Sequence, residues 1–333
     1  MLALPTRHDM STTIQTLHLQ DVIQKHTRDM SGRVAAITGT TSGTGYVCAR
    51  ELARLGAKVI LLNRASDRST AALHKLRDEV PDGDFDPVVC DLQDFESVRA
   101  ATADIVARYD KLDVLCNNAG VMALPDQATK DGYDVQMQTN CLSHFLLTKN
   151  LIDLLAKSDD ARVVSHTSMA RLGGPIAARY FTKAGGNLGG DGTAEESASF
   201  SGPRWERYHQ TKLANCTFTF ELKRRLEASG KVNVKPMIAH PGLSRTNLQV
   251  TTADTGGMDI EGEFMGNAQS AEDGATGILR ACADPEAVAG DFFGPKGWTG
   301  FPERLEVEPL LVDPENLRVS WDGFEAAVGA FEG

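Results

Sequence analysis

The 333-residue chain is short of positive charge: 34 Lys and Arg stand against 45 Asp and Glu, a formal charge of −11. Nucleic acids and anionic membranes call for basic patches, so neither is expected as a partner. No apolar run approaches the ~20 residues that a membrane-spanning helix needs. The six cysteines, Cys48, Cys90, Cys116, Cys141, Cys216 and Cys282, include no Cys-x-x-Cys pair and have no zinc-ligand spacing. Most lie inside apolar segments. They read as buried free thiols of a reducing, cytoplasmic compartment, and no metal is expected. The first 30 residues have neither the long apolar core of a secretory signal nor the acid-poor composition of a transit peptide. Residues 1–30 are therefore an N-terminal extension, in which residues 17–23 form a short strand or a turn of helix. Internal repeats and low-complexity tracts are also lacking.

What the chain does have is an alternation of strand and helix patterns. Residues 33–38 read as a buried strand, followed by the turn Gly39-Thr40-Thr41-Ser42-Gly43-Thr44-Gly45, a helical stretch to Leu55 and a second strand at 58–62. Strand, glycine turn, helix and strand within about 30 residues make a βαβ unit. Glycines in such a turn let the backbone approach a pyrophosphate, which the free N–H groups at the helix start then hold. An acidic residue at the tip of the second strand would bind an adenosine ribose and repel a 2′-phosphate. Here the tip is Asn63-Arg64, with Arg68 close behind, and a guanidinium suits phosphate oxygens. NADP(H) is therefore expected over NAD(H). Further strands are expected at 86–90, 112–116, 162–165 and 232–239, with helices at 67–80, 94–109, 131–157 and 271–282. Pro236 is awkward in a central strand and predicts an interrupted ladder there.

In the second half, Tyr208 and Lys212 stand four apart at the start of a helical pattern, on one helical face. A free phenol titrates near pH ~10, and a neighbouring ammonium favours phenolate. Such a pair would exchange a proton with a carbonyl or alcohol oxygen. By spacing alone it is equally an ordinary helix surface.

Four further segments occur in a fixed order with these. They are Asn117-Asn118-Ala119-Gly120 after a strand, Asn140 within a helix, His166-Thr167-Ser168 at a strand end, and His240-Pro241-Gly242-Leu243-Ser244-Arg245-Thr246. With the Gly-xxx-Gly-x-Gly turn and the Tyr208/Lys212 pair, residues 31–295 resemble the short-chain dehydrogenase/reductase superfamily. The segment around Asn140 is similar to the retinol dehydrogenase, WW-domain oxidoreductase and protochlorophyllide reductase branches. The resemblance implies a Rossmann-type, doubly wound parallel α/β sheet of about seven strands in a single domain.

It also implies site residues. Gly39, Thr41, Ser42, Gly43 and Thr44 would hold the cofactor's phosphates, and Asn63 and Arg64 its adenosine ribose. Asp91 and Leu92 would meet the adenine, although Asp91 reads equally as the cap of the helix starting near Phe95. Asn118, Ala119 and Gly120 would make room for the cofactor, and Pro241, Gly242, Leu243 and Thr246 would meet the nicotinamide amide. Ser168 would donate to the reacting oxygen, with Thr167 and Ser165 as alternatives. Tyr208 would carry the proton, Lys212 would acidify it and hold the ribose, and Asn140 would anchor a proton relay.

The catalytic domain is expected over 31–300, with substrate flaps at 172–203 and 247–270 and a tail at 301–333 packed on it. Long glycine-rich inserts are commonly functional. Tyr180, Phe181 and Phe200 in the first flap, and Met258, Phe264 and Met265 in the second, would line an apolar pocket. The expected activity is NADP(H)-dependent interconversion of a carbonyl and an alcohol on a lipophilic small molecule. A protochlorophyllide reductase-like enzyme and a non-catalytic NADP(H)-sensing protein are the other readings. Helices 131–157 and 204–228 would form a homodimer, as in relatives.

Overall fold

The computed structural model describes residues 14–192 and 200–332. The first element among the described residues is α1 (Leu19–His26), so the ambiguous stretch near residue 20 is helical. The reason is tertiary: the Asp273 carboxylate accepts the backbone N–H groups of Leu17, His18 and Leu19 at 2.8, 2.7 and 3.3 Å, satisfying donors that a helix start leaves free.

The expected alternation follows as β1 (Val34–Thr38), α2 (Gly43–Arg54), β2 (Lys58–Asn63), α3 (Asp67–Glu79), β3 (Asp84–Val89), α4 (Phe95–Arg108) and β4 (Val114–Asn117). β3 begins two residues before the sequence suggests, because the whole stretch pairs in parallel with β2 from Lys58↔Asp84 to Asn63↔Val89. The helix expected over 131–157 comprises α5 (Val135–Met137), one π-helical turn (Gln138–Leu142) and α6 (Ser143–Leu155). Its true start is Val135, where the Asp134 side chain caps the N–H groups of Gln136 and Met137.

The second half contributes β5 (Ala161–His166), α7 (Pro203–Ala228), β6 (Val234–Ala239), α8 (Asn247–Asp254), α9 (Glu263–Gly266), α10 (Ala271–Ala283), β7 (Phe292–Gly294), β8 (Glu303–Arg304) and α11 (Pro314–Val328). The sheet order is β3-β2-β1-β4-β5-β6-β7-β8. Seven strands are parallel, as the sequence implies, and the short β8 adds an antiparallel edge. Apolar residues on the two sheet faces fill two separate cores. The order reverses between β1 and β4, which opens a crevice at the carboxyl ends of the strands.

Pro236 does not interrupt the ladder. Ile238 and His240 donate toward the β7 side, to Asp291 and Phe293, and Gly290 donates to the Pro236 carbonyl. The proline's missing N–H belongs to the same side, below the first residue of β7, where no ladder bond is called for.

The tail is built into the core. Asp313 caps α11 and Pro314 opens it. Phe324 stacks on Phe145 of α6 with centroids 5.0 Å apart and meets the edge of Phe181 at 5.3 Å. Trp321 stacks on Phe218 of α7. A Cβ at Gly323 would lie 2.5 Å from the Phe181 ring, so only glycine allows this approach. Tyr180 and Phe181, expected in a substrate flap, are instead buried in this core beneath α11. The sequence marks them only as apolar residues in a long insert; their partners lie about 140 residues further on. Phe324→Ala should cost roughly 3–5 kcal/mol of stability. Urea unfolding measures this, and a loss below about 1 kcal/mol would show that the tail does not hold the core together.

Candidate active site

The glycine turn between β1 and α2 is shaped by its neighbours. Gly39 has φ +73°, and a Cβ there would sit 2.8 Å from Ala119 Cβ. A Cβ at Gly45 would sit 2.2 Å from Asn118 Nδ2. The turn and the Asn-Asn-Ala-Gly segment are thus packed face to face. Asn118 joins them: Nδ2 donates to the Thr38 and Gly39 carbonyls at 2.8 and 3.3 Å, and Oδ1 accepts from Thr44 Oγ1 at 3.0 Å. The Thr38 hydroxyl accepts the N–H groups of Asn118 and Ala119. This fixes the end of β4 against the end of β1.

The start of α2 has no side-chain cap and no acidic residue in its first turn. Its N–H groups and dipole therefore remain available to an anion, and the glycine turn leaves room for one. Thr41, Ser42, Gly43 and Thr44 line the resulting cavity, and exposed Arg64 and Arg68 close its far end. An Arg68 Nη donates to Ser42 Oγ at 2.5 Å. These features fit the pyrophosphate and adenosine phosphate of a dinucleotide.

Three residues expected at the cofactor support the site from behind its wall. Asn63 exchanges hydrogen bonds of 2.9 and 2.7 Å with the backbone and side chain of Thr40, bracing the glycine turn. Asp91 accepts the Gln93 N–H in a local turn, while the cap of α4 is Asp94. Leu92 is buried, and its carbonyl accepts from Ser143.

The chemical end of the cavity, about 780 Å³ in all, lies over the ends of β4, β5 and β6. Of the three hydroxyls at the end of β5, Ser165 and Thr167 turn toward α7 and bond Thr219 and the Lys212 carbonyl. Ser168, whose Oγ accepts the Ala170 N–H at 3.2 Å, is the one that lies next to the Tyr208 phenol and favours phenolate there. Burial outweighs that influence and pushes the Tyr208 pKa well up, so the phenol stays protonated at neutral pH. Tyr208 is 3% exposed and Lys212 5%.

Lys212 does not bring the Tyr208 phenol below its ordinary pKa as the sequence suggests. Its Nζ donates to the His166 carbonyl at 3.0 Å and lies 5.5 Å from the centre of the Tyr208 ring. The cause is shared desolvation: the same burial that raises the phenol lowers the ammonium, to about 8.

Asn140 sits on the π-helical turn, a feature frequent at functional sites. Its amide is fully engaged: Oδ1 accepts from Val121 N–H, and Nδ2 donates to the Val121 carbonyl and Thr211 Oγ1. It lies close to Lys212, since a Cβ at Gly120 would be 3.2 Å from Asn140 Oδ1 and 3.6 Å from Lys212 Nζ. It is not on the cavity wall.

Beyond β6, Gly242 has φ +61°, and a Cβ there would lie 2.4 Å from the Trp298 carbonyl, which accepts the Leu243 N–H. Thr246 caps α8 with Gln249 in a reciprocal box. Pro241, Gly242, Leu243 and Thr246 all border the cavity, as do Asn118, Ala119, Gly120 and Gly39. The second flap, α8 and α9 with their linking turn, brings Met258, Phe264 and Met265 to it. Phe200 meets Trp205 and Phe264 at 4.8 Å each, and Phe264 meets Trp298 at 5.2 Å, forming an aromatic arch over the opening. Residues 193–199 of the first flap lie outside the described residues.

Sequence reasoning missed His166, Trp205 and Trp298. His166 Nδ1 lies 3.0 Å from Asn118 Oδ1, an oxygen that only accepts, so the ring proton sits on Nδ1 and burial keeps the ring neutral. Nothing in its local sequence separates it from a packing residue. Trp298 lies on a loop whose approach to Gly242 is a long-range contact.

A family model described as short chain dehydrogenase matches residues 33–188. Retinol dehydrogenase 14 of Mus musculus is 34% identical over 322 residues, 90% of this chain and 87% of that protein. An uncharacterized oxidoreductase of Schizosaccharomyces pombe is 38% identical over 226 residues, 66% of this chain but only 62% of the yeast protein. Among solved structures, an uncharacterized protein from Mycobacterium paratuberculosis superposes with a TM-score of 0.71 at 31% identity, covering 96% of this chain and 100% of that one. The likeness to the mouse protein runs from the glycine turn through both flaps, and on it the chain belongs to the short-chain dehydrogenase/reductase family of oxidoreductases, which use a nicotinamide cofactor.

Proposed function

We propose that the protein is an NADP(H)-dependent oxidoreductase that interconverts a carbonyl and an alcohol on a lipophilic small molecule. The observation that carries this reading is the Ser168–Tyr208 contact beneath an apolar, aromatic-roofed cavity, with Lys212 buried beside it. When bound, reduced nicotinamide supplies a hydride to the carbonyl carbon. Tyr208 gives its proton to the carbonyl oxygen, and the Ser168 hydroxyl donates to that oxygen as charge builds on it. Lys212 holds the nicotinamide ribose and keeps a positive charge beside the phenol. Asn140 positions the loop at Val121 and the start of α7, so that Lys212 is aimed correctly. Arg64 and Arg68 favour the 2′-phosphate of NADP(H). The catalytic unit is residues 31–300, with Leu172, Gly173 and Phe200 of the first flap and the second flap, 247–270, forming the substrate side.

The cavity wall supports an apolar substrate. Met122, Leu248, Met258 and Phe264 line it, and among the described residues no carboxylate does. The mouse relative is named for retinol, itself a lipophilic alcohol. Following NADPH and NADH consumption across aldehydes and ketones of increasing apolar length tests the reading. Turnover with NADPH that rises with chain length is expected. NADPH binding with no turnover on any member would favour a cofactor-sensing role instead.

A pH dependence follows from Lys212. An amine lowered to about 8 is charged below that pH and neutral above it. With Lys212 as the cation, kcat/KM for carbonyl reduction is nearly flat from pH 6 to 7, is halved near pH 8 and falls further above it, because this ratio reports groups of the free enzyme. A profile flat to pH 10 would remove Lys212 from that role.

A further inference from the structure

Three of the six cysteines come together outside the lining of the cavity described above. Cys48 lies on α2, Cys116 on β4 and Cys282 on α10, and their three Sγ atoms all lie within 4.8 Å of one another. All three side chains are fully buried in the seam where the two helices meet the sheet. No His, Asp or Glu joins them among the described residues. We propose that Cys48, Cys116 and Cys282 form a three-sulfur site for a soft monovalent metal ion, Cu(I).

The donor set argues for that ion. Thiolate sulfur selects soft metals. Zinc in structural sites takes four ligands, and this cluster offers three. At a metal–sulfur length of about 2.3 Å, a trigonal arrangement places the sulfurs about 4.0 Å apart. The trio is already within 4.8 Å, so closing on an ion takes side-chain adjustment and no movement of the elements.

A second observation concerns charge. Metal-bound thiolates around a monovalent ion carry net negative charge, which needs a buried counter-charge. Arg162, fully buried on β5, donates through Nη1 at 3.2 Å to the carbonyl of Ala281, the residue before Cys282. Its Nε has no hydrogen-bond partner. The single carboxylate of Asp160 faces Arg28, Arg162 and Lys235 together, so three cations meet one anion there. That excess of positive charge is what an anionic copper–thiolate group would offset. Binding releases the thiol protons and involves no change of oxidation state.

The full-length protein, isolated from cells grown with added copper and also titrated with Cu(I) under reducing, oxygen-free conditions, tests this. After washing with a coloured Cu(I) chelator, about one copper per chain should remain. Cys48→Ser, Cys116→Ser and Cys282→Ser should each lower retention at least tenfold, and Cys90→Ser should leave it unchanged. Copper below a tenth of an equivalent in the wild type, or equal retention in Cys116→Ser, would overturn the proposal and leave the trio as packing thiols. If the serine variants fail to fold, X-ray absorption on the copper-loaded wild type decides. Three sulfurs at about 2.3 Å support the site, and nitrogen or oxygen ligands overturn it.

Discussion

Tyr208→Phe should lower kcat by ~10²–10⁴-fold while NADPH affinity stays within about threefold of the wild type. The change removes one oxygen and keeps the ring. That ring packs at 5.8 Å against the edge of Trp205 and within a cluster of Met122, Ala123 and Trp205, so the fold and cavity shape are retained. What disappears is the proton donor. The phenol is buried, with its pKa pushed up, so it holds its proton at neutral pH and releases it only when negative charge forms on a bound oxygen. Neither neighbour can replace it. The Ser168 hydroxyl is a far weaker acid, and Lys212 points to the His166 carbonyl. NADPH titration by fluorescence and steady-state kinetics on one aldehyde separate the two effects. A variant within fivefold of wild-type kcat would show that another group carries the proton.

The second large effect concerns cofactor choice. Arg64→Ala combined with Arg68→Ala should lower the preference for NADPH over NADH by roughly ten- to a hundredfold. Hydrogen bonds to charged groups contribute about 1.5–3 kcal/mol, and solvent exposure at this end of the cavity pulls the effect toward the lower figure. Both residues border the cavity beside Ser42, and Arg68 is already hydrogen-bonded there. The loss should fall on KM for NADPH and leave that for NADH nearly unchanged, because only the 2′-phosphate meets these side chains. It should also shrink at 0.5 M salt, since exposed charges are screened. Equal loss with both cofactors would mean that the arginines support the fold of the turn and do not read the phosphate.

Much of this site was legible because its parts are local. The glycine turn, Asn118-Ala119-Gly120, Ser168, the Tyr208/Lys212 pair and the Pro-Gly segment each stand at a strand or helix end. A parallel sheet brings the carboxyl ends of its strands to one edge. Elsewhere the fold supplies partners that the local pattern leaves open. Asp91 has the composition of a cap, yet Asp94 takes that position. Asn63 looks like a ribose ligand, yet its amide is held by Thr40. The expected acidification of Tyr208 by Lys212 follows from spacing in water; in the fold both groups lose their water, and burial is the larger effect. The expected dimer faces are partly taken as well, since α11 covers Phe145 of α6 and Phe218 of α7.

By itself, the sequence determined the strand–helix alternation, the order of the segments that meet at the cavity, and the excess of acidic over basic residues. These are set by periodicity, turn chemistry and composition, which act over a few residues. Only the tertiary structure decided that Tyr180 and Phe181 belong to the core, that Ser168 and neither Ser165 nor Thr167 meets Tyr208, and that three cysteines spread over 235 positions share one buried seam. Those outcomes depend on which faces of distant elements meet, and the energy of that contact is not written in the local pattern of either partner.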